Sequence, residues 1–394
     1  MPWRRSLRQV GHLLGPFMFI LLFYSIGASA DDPILSRFVE GLTANPFLIG
    51  LLVSISWIVF TIASEPAGSI IDLIGARKAI LLGGGLEAAT LVIIWLTKSP
   101  YVFAIAMALA GIGSAFFWSA SRTHIANFCR GKTGAAFGTY VASWGLGWAI
   151  GPLIGGALAF FWNIRAPYLF GAIVLAITVI VFMQILPPDK HIKASKSTIA
   201  KKLRGGFLKD GIAFLKIAPN GVKQIFLIQM LMYSALQIVL IFAPLYFIKL
   251  NNAEIGVLFF VQSIVFAAGG ALWGLLAEGS KKFLFVVTGF LASSGVIFLL
   301  LKSTDFISAI IFMGIFGLTL ALIEPISDAI LNDCVDRKAR GVANGFSQAA
   351  YGLGGGIGPL VGGAVAAIYG ISSTFILAIA LCLGGVVVGL SLRR

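Results

Sequence analysis

The chain has 394 residues, 59% of them hydrophobic and only 11% charged, with a mean hydropathy of +0.98 and a net charge of +14. Soluble domains run at about 45–50% apolar and about 25% charged, so composition argues against a soluble enzyme, a secreted disulfide scaffold or an outer-membrane barrel. What remains is an all-α membrane protein with many spans. At roughly 20 residues per crossing, the length suits twelve spans with short loops, and fourteen would leave no room for the polar stretch near the middle.

Apolar runs predict spans at about 11–30, 47–70, 79–97, 101–121, 135–161, 167–187, 224–248, 256–277, 283–301, 306–331, 341–369 and 373–391. With the loops assigned alternately to the two sides, 24 of the 29 Lys and Arg fall on one side. Arg37, Lys98, Arg165, Lys249 and Lys302 fall on the other. By the positive-inside rule both termini and the central loop are expected in the cytoplasm, with the chain in the cell membrane. The basic excess thus reads as a topology signal, and no nucleic-acid partner is expected. Arg4-Arg5, an apolar run and Ala28-Ser29-Ala30 before Asp31 mimic a cleavable leader. The segment is expected to be retained, since removal would leave eleven spans and strip the first half of its opening helix. Cys129, Cys334 and Cys382 fit neither a disulfide framework nor a metal site.

The chain repeats itself. Gly50, Gly68 and Asp72 are matched by Gly256, Gly274 and Glu278, each 206 residues on. Lys98, Ser99 and Gly113 match Lys302, Ser303 and Gly317 at an offset of 204. Gly138, Gly147, Gly151, Pro152, Gly155 and Gly156 match Gly345, Gly354, Gly358, Pro359, Gly362 and Gly363 at 207. The expected organisation is an N-terminal six-helix bundle at 1–188, a cytoplasmic linker at 189–222 and a C-terminal six-helix bundle at 223–394. Within the linker, Ile199, Leu203, Phe207, Ile212 and Leu215 are spaced like an amphipathic helix on a lipid surface. A solvated linker is the alternative.

Two motifs carry a resemblance. Gly68, Asp72, Gly75, Arg77 and Lys78 follow span two in the spacing of the signature loop of the major facilitator superfamily, with Leu73 where an Arg usually follows the Asp. Gly138-x8-Gly147-x3-Gly151-Pro152-x2-Gly155-Gly156 resembles the fifth-span motif of that family's drug:proton antiporter branch. The resemblance covers essentially the whole chain. It implies two pseudo-symmetric bundles and a cytoplasmic latch built on Asp72. Glycines four apart share one helical face and admit another helix closely, and Pro152 removes a backbone bond. Such a face suits two bundles that rock past each other. Span eleven carries the motif again in Gly354, Gly358, Pro359 and Gly362, which weakens the antiporter inference. The second copy of the loop keeps Gly274, Glu278, Lys281 and Lys282. Span four has Gly111-Ile-Gly113, but Met107 stands where the family often has an Arg associated with proton coupling.

A charge at the centre of a span costs about 2.5–3.5 kcal/mol, so ionisable residues there mark candidate chemistry. Glu324 and Glu87 are the leading proton-coupling candidates, with Glu65, Asp328, Asp32 and Arg122 behind them. Glu65 and Arg122 read equally as a structural ion pair. Asp31 and Asp32, before Pro33, read as acids at the external mouth or as solvated loop residues. By family analogy spans one, four, seven and ten line a cavity, offering Phe19, Phe23, Tyr24, Phe116, Trp118, Gln229, Tyr233 and Gln237. Aromatic faces beside a carboxylate suit lipophilic or cationic compounds. No phosphate-cradling loop, metal spacing or nucleophile–base pair is present, so neither catalysis nor a cofactor is expected. The resulting expectation is a monomeric transporter using alternating access, exporting a small molecule against protons across the lipid bilayer. A nutrient or metabolite symporter or uniporter is the first alternative, and a non-transporting membrane sensor or scaffold the second.

Overall fold

A computed structural model describes residues 2–128, 133–187, 218–276, 282–335 and 340–392, without the side chains of 2–14, 65, 126–137, 271, 274–276 and 340–344. Those residues form helices and connecting turns, with no strand among them, and twelve helical stretches are long and apolar enough to cross a membrane. The proposed linker helix, Cys129, Glu278 and Lys281 lie outside the described residues, as do the side chains of Glu65 and Gly274. The helix of span seven begins at Asn220, already inside the expected linker.

Large apolar side chains lie on the surface as well as in the core. Ile173, Ile177 and Ile180 form a stripe down one face of span six and are more than half exposed. In water such a stripe would be a liability; against lipid it is the outer coat of the protein.

The duplication is visible in the packing. In the first half, span one (Pro2–Ser29) packs on span five (Thr133–Phe161) and span six (Ala166–Ile185). Span three (Ala76–Leu96) packs on spans six and four (Pro100–Phe128), and span two (Pro46–Ile74) on span four. In the second half, span seven (Asn220–Tyr246) packs likewise on span eleven (Arg340–Tyr369) and span twelve (Ser372–Ser391). Span nine (Lys282–Lys302) lies on spans ten and twelve, and span eight (Asn252–Leu276) on span ten. The halves meet along two seams, span two on span eleven and span five on span eight.

Two spans are broken, against the expectation of continuous helices. Span one was expected to end at 30. It instead turns through Asp31, passes a short 3-10 stretch (Asp32–Ile34) and re-forms as a helix at Leu35–Glu40, so the crossing runs on to Glu40. Span ten runs as Phe306–Leu320, breaks at residues 321–323 and resumes as Glu324–Asp333. Pro33 and Pro325 account for the breaks. Each lacks a backbone donor, and its ring clashes with the carbonyl four residues earlier.

The glycine faces divide their work differently from the expectation. A Cβ on Gly151 would meet the Ile26 carbonyl at 2.7 Å, and Gly147 and Gly155 likewise face the backbone of span one. Gly354 and Gly358 face Met230 and Ser234 of span seven in the same way. These five glycines therefore draw helices together inside each half, while the last glycine of each motif copy lies at a seam between halves. A Cβ on Gly156 would lie 2.6 Å from the Asn252 carbonyl and 2.8 Å from Gly256 Cα. One on Gly363 would lie 2.7 Å from the Pro46 carbonyl and 3.0 Å from Gly50 Cα. Both seams lie at the end opposite the basic loops, here called the far end.

In the signature loop Gly75 has a φ of 89°, a left-handed backbone that favours glycine, and links spans two and three. Arg77 donates to the Met183 carbonyl at 2.6 Å, meeting one of the unsatisfied carbonyls that close span six. Asp72 and Lys78 are exposed there. Lys282, at the corresponding start of span nine, pairs with Asp333 at 2.7 Å. Outside the spans, Asp305 caps span ten. Its carboxyl is held below the usual range by the Ser308 backbone N–H and hydroxyl.

Candidate substrate and proton site

Glu324 opens the second segment of span ten, where Pro325 frees it from a continuous helix. Its charge acts on Tyr233 of span seven and Tyr351 of span eleven. Tyr233 also feels Asp32, from the break in span one. The ring of Tyr233 stands 5.6 Å from Trp57 of span two, nearly edge-on, and 5.2 Å from Tyr351. Aromatic rings from both halves thus meet at one tyrosine.

The two span-ten acids differ in their surroundings. Asp328 Oδ1 accepts hydrogen bonds from Gln229 Nε2 at 2.8 Å, Ser347 Oγ at 3.0 Å and Tyr351 OH at 3.2 Å. Such a carboxylate is anchored as an acceptor. The Glu324 carboxylate makes no hydrogen bond among the described residues, and the residue is only partly buried. Arg122 lies near enough to Asp328 to act on its charge, and its Nη2 donates to Gln348 Oε1 of span eleven at 3.0 Å. A Glu65–Arg122 pair cannot be assigned, because the Glu65 side chain is outside the described residues.

A second cluster sits wholly in the first half. Glu87 is 7% exposed, and its Oε2 accepts from Tyr24 OH at 2.7 Å. Its Oε1 is buried with no partner, and among the described residues no cation lies within ion-pair distance. Tyr24 stacks on Phe117 with ring centroids 3.6 Å apart, and Trp118 stands edge-on to both. Close approach of spans three and four encloses the pair, since a Cβ on Gly113 would meet Glu87 Cγ at 3.0 Å.

The residues expected to line the cavity are placed as follows. Tyr24 is fully buried and serves Glu87. Gln229 is fully buried and serves Asp328, and Gln237 is buried too. Phe19 and Phe23 are exposed and edge-on to each other at 5.0 Å. Trp118 and Tyr233 are half-buried. Asp31 and Asp32 belong to the crossing itself, and both are half-buried rather than solvated loop acids. Trp57, Tyr351 and Pro325 were missed. The Glu-Pro pair inside an apolar run was a legible signal for Pro325, whereas Trp57 and Tyr351 look like any membrane aromatics.

Twelve spans in two repeated bundles, with polar groups gathered where the bundles face each other, describe a membrane transporter. The Major Facilitator Superfamily model matches residues 17–250 and 225–394, and the chain belongs to that superfamily. It is 28% identical over 382 residues to the multidrug resistance protein MdtG of Enterobacter lignolyticus, covering 92% of this chain and 88% of that one. It is 26% identical over 359 residues to the multi-drug resistance efflux pump PmrA of Streptococcus pneumoniae, covering 87% and 86%. Among solved structures, the nucleoside transporter NupG matches with a TM-score of 0.81 at 14% identity, over 96% of this chain and 99% of that one. An inward-facing bacterial homologue of the human lysosomal transporter Spinster matches at 0.82 and 12%, over 97% of each chain. At these identities the structures speak to the fold alone.

Proposed function

We propose that this protein is a secondary active transporter working by alternating access, exporting small lipophilic or cationic compounds in exchange for protons. The observation that carries the reading is the cluster of Trp57, Tyr233 and Tyr351 rings from spans two, seven and eleven beside the span-ten acids, with Tyr351 donating to Asp328 and Glu324 one turn before it. An organic cation fits such a group through its charge and through ring faces. A partly buried carboxylate without hydrogen bonds is neutralised by a proton or by a cation. Mutually exclusive occupancy of Glu324 would couple the two fluxes, since each ligand shifts the equilibrium of conformers it prefers. Asp328, held by three donors, orients the neighbouring side chains. Glu87, with one orphan oxygen, is the second proton site. Relatives named for multidrug resistance and efflux support the same reading. The basic end faces the cytoplasm by the positive-inside rule, and one chain suffices because both halves are in it.

A metabolite carrier on the same fold is the second reading. It is favoured by Met107, buried at 7% exposure, where a coupling Arg would stand in span four. Proteoliposomes with an imposed pH gradient decide between the two. A lipophilic cationic dye is expected to move according to the direction of the gradient, and Glu324→Gln to cut that flux at least tenfold. Saturable uptake of a sugar or amino acid, indifferent to the gradient, would select the carrier. Undiminished gradient-driven flux in both Glu324→Gln and Glu87→Gln would end the coupling assignment.

A further inference from the structure

Arg37 is one of the five basic residues on the far side, and a lone arginine there reads as an ordinary loop charge. Its surroundings are not ordinary. After the break at residues 31–34, the helix Leu35–Glu40 packs against span seven of the other half. From there the guanidinium reaches across the boundary between halves. Nε donates to the Pro244 carbonyl at 2.9 Å and Nη1 to Asn252 Oδ1 at 2.8 Å. Nη2 donates to the Phe247 and Leu250 carbonyls, both at 2.9 Å. Pro244 belongs to the last turn of span seven, whose carbonyls have no partner in their own helix and carry its negative dipole end. A rigid, forked cation is the side chain suited to several such acceptors at once.

Both sides of this contact are braced. On the receiving side, Asn251 Oδ1 accepts from the Glu254 backbone N–H at 2.9 Å, and Glu254 Oε2 accepts from the Asn251 N–H at 2.8 Å. This reciprocal cap fixes the start of span eight, and with it Asn252. On the donating side, Phe38 packs against Tyr168 at 4.8 Å and lies under the Arg165 guanidinium at 5.2 Å. Arg165 is itself tied to the Trp95 carbonyl of span three. The repeat offset of 206 would place the counterpart of Arg37 at Ala243, so the arginine itself is not repeated there.

We infer that Arg37 is the bolt of the far gate: its four hydrogen bonds to the opposite half hold the far end closed, and opening that end requires their rupture. The inference rests on the alternating-access reading, and it adds a gating residue outside the substrate and proton site. The bolt and the glycine seams act together. The seams allow backbones to touch, and Arg37 supplies directional bonds that open or close as a unit. An arginine in this role sets how often the far end opens, not what is bound.

The test is a pair of spin labels at Tyr101 and Ile307, the far-end starts of spans four and ten, which are 81% and 69% exposed. They are placed in full-length protein with its three cysteines replaced, and the distance distribution is read at low and high pH. Arg37→Gln is expected to raise the long-distance, far-open fraction roughly tenfold, since a hydrogen bond to a charged group contributes about 1.5–3 kcal/mol. Asn252→Asp, which adds a carboxylate opposite the guanidinium, is expected to lower that fraction. It serves alone if Arg37→Gln does not fold. If the parent shows two distances and the variants reproduce its ratio, the bolt is refuted while alternating access stands. One unchanging distance in the parent and in both variants refutes both.

Discussion

Tyr24 and Glu87 show how a single pair stabilises the interior of a membrane bundle. Among the described residues Glu87 is buried without a cation, and its Oε2 accepts from the Tyr24 hydroxyl. The Tyr24 ring meanwhile stacks on Phe117. Tyr24→Phe keeps the stack and removes the donor. Leaving a buried acceptor unmet costs about 1–3 kcal/mol, so the variant should denature at a lower midpoint in a detergent-solubilised unfolding titration. An unchanged midpoint would mean the bond contributes nothing. Glu87 and Glu324 were legible in the sequence because a charge inside an apolar run stands out by its cost. Arg37 was not, because its meaning lies in Pro244, Phe247, Leu250 and Asn252, all more than 200 residues away.

At the scale of elements, the broken helices matter most. Span ten stops before Glu324 because Pro325 cannot donate and crowds the carbonyl of Ala321. The break makes Glu324 the first residue of the second segment, one helical turn before Asp328. Pro325→Ala should let the helix close through residues 321–324, leaving the fold intact while shifting Glu324 from Tyr233. Gradient-driven transport is expected to fall severalfold with thermal stability equal or higher. Full transport with a continuous span ten would show that the break is incidental. Hydropathy detects the apolar length of a span but is blind to interruptions, so span one was expected to end at 30 and span ten to be continuous. The Pro33 and Pro325 signals were present in the residues, but in membrane helices proline is common enough that position alone does not separate a kink from a break.

For the whole molecule, the two seams are mates under the repeat. Gly50 and Gly256 are 206 apart, Gly156 and Gly363 are 207 apart, and each seam uses one member of each pair. Gly156→Leu and Gly363→Leu should therefore act alike. Each pushes on backbone of the opposite half, and each should speed hydrogen exchange in the far-end segments 45–52 and 248–256. Gly138→Ala, where a Cβ would meet nothing within 4 Å, should leave exchange unchanged. A response confined to one seam would break the symmetry on which this expectation stands. The repeat itself was visible in the spacing of the glycines. Their division of labour was not, because Gly155 and Gly156 are neighbours in the chain and face different halves of the protein.

Residence in a membrane, twelve crossings, the duplication and the sidedness of the charge follow from residues read in order. Hydropathy, periodicity and loop charge are local sums, and no partner need be known to add them. Membership of the superfamily was likewise readable from motif spacing. Tertiary structure alone decided which motif glycines pack within a half and which between halves, that Tyr24 and Gln229 hydrogen-bond to carboxylates, and that Arg37 joins the halves. Each of those depends on which distant backbone or side chain arrives opposite a given residue. That is settled by the packing of helices, and one helix turned by a single residue would have given every one of these side chains a different neighbour.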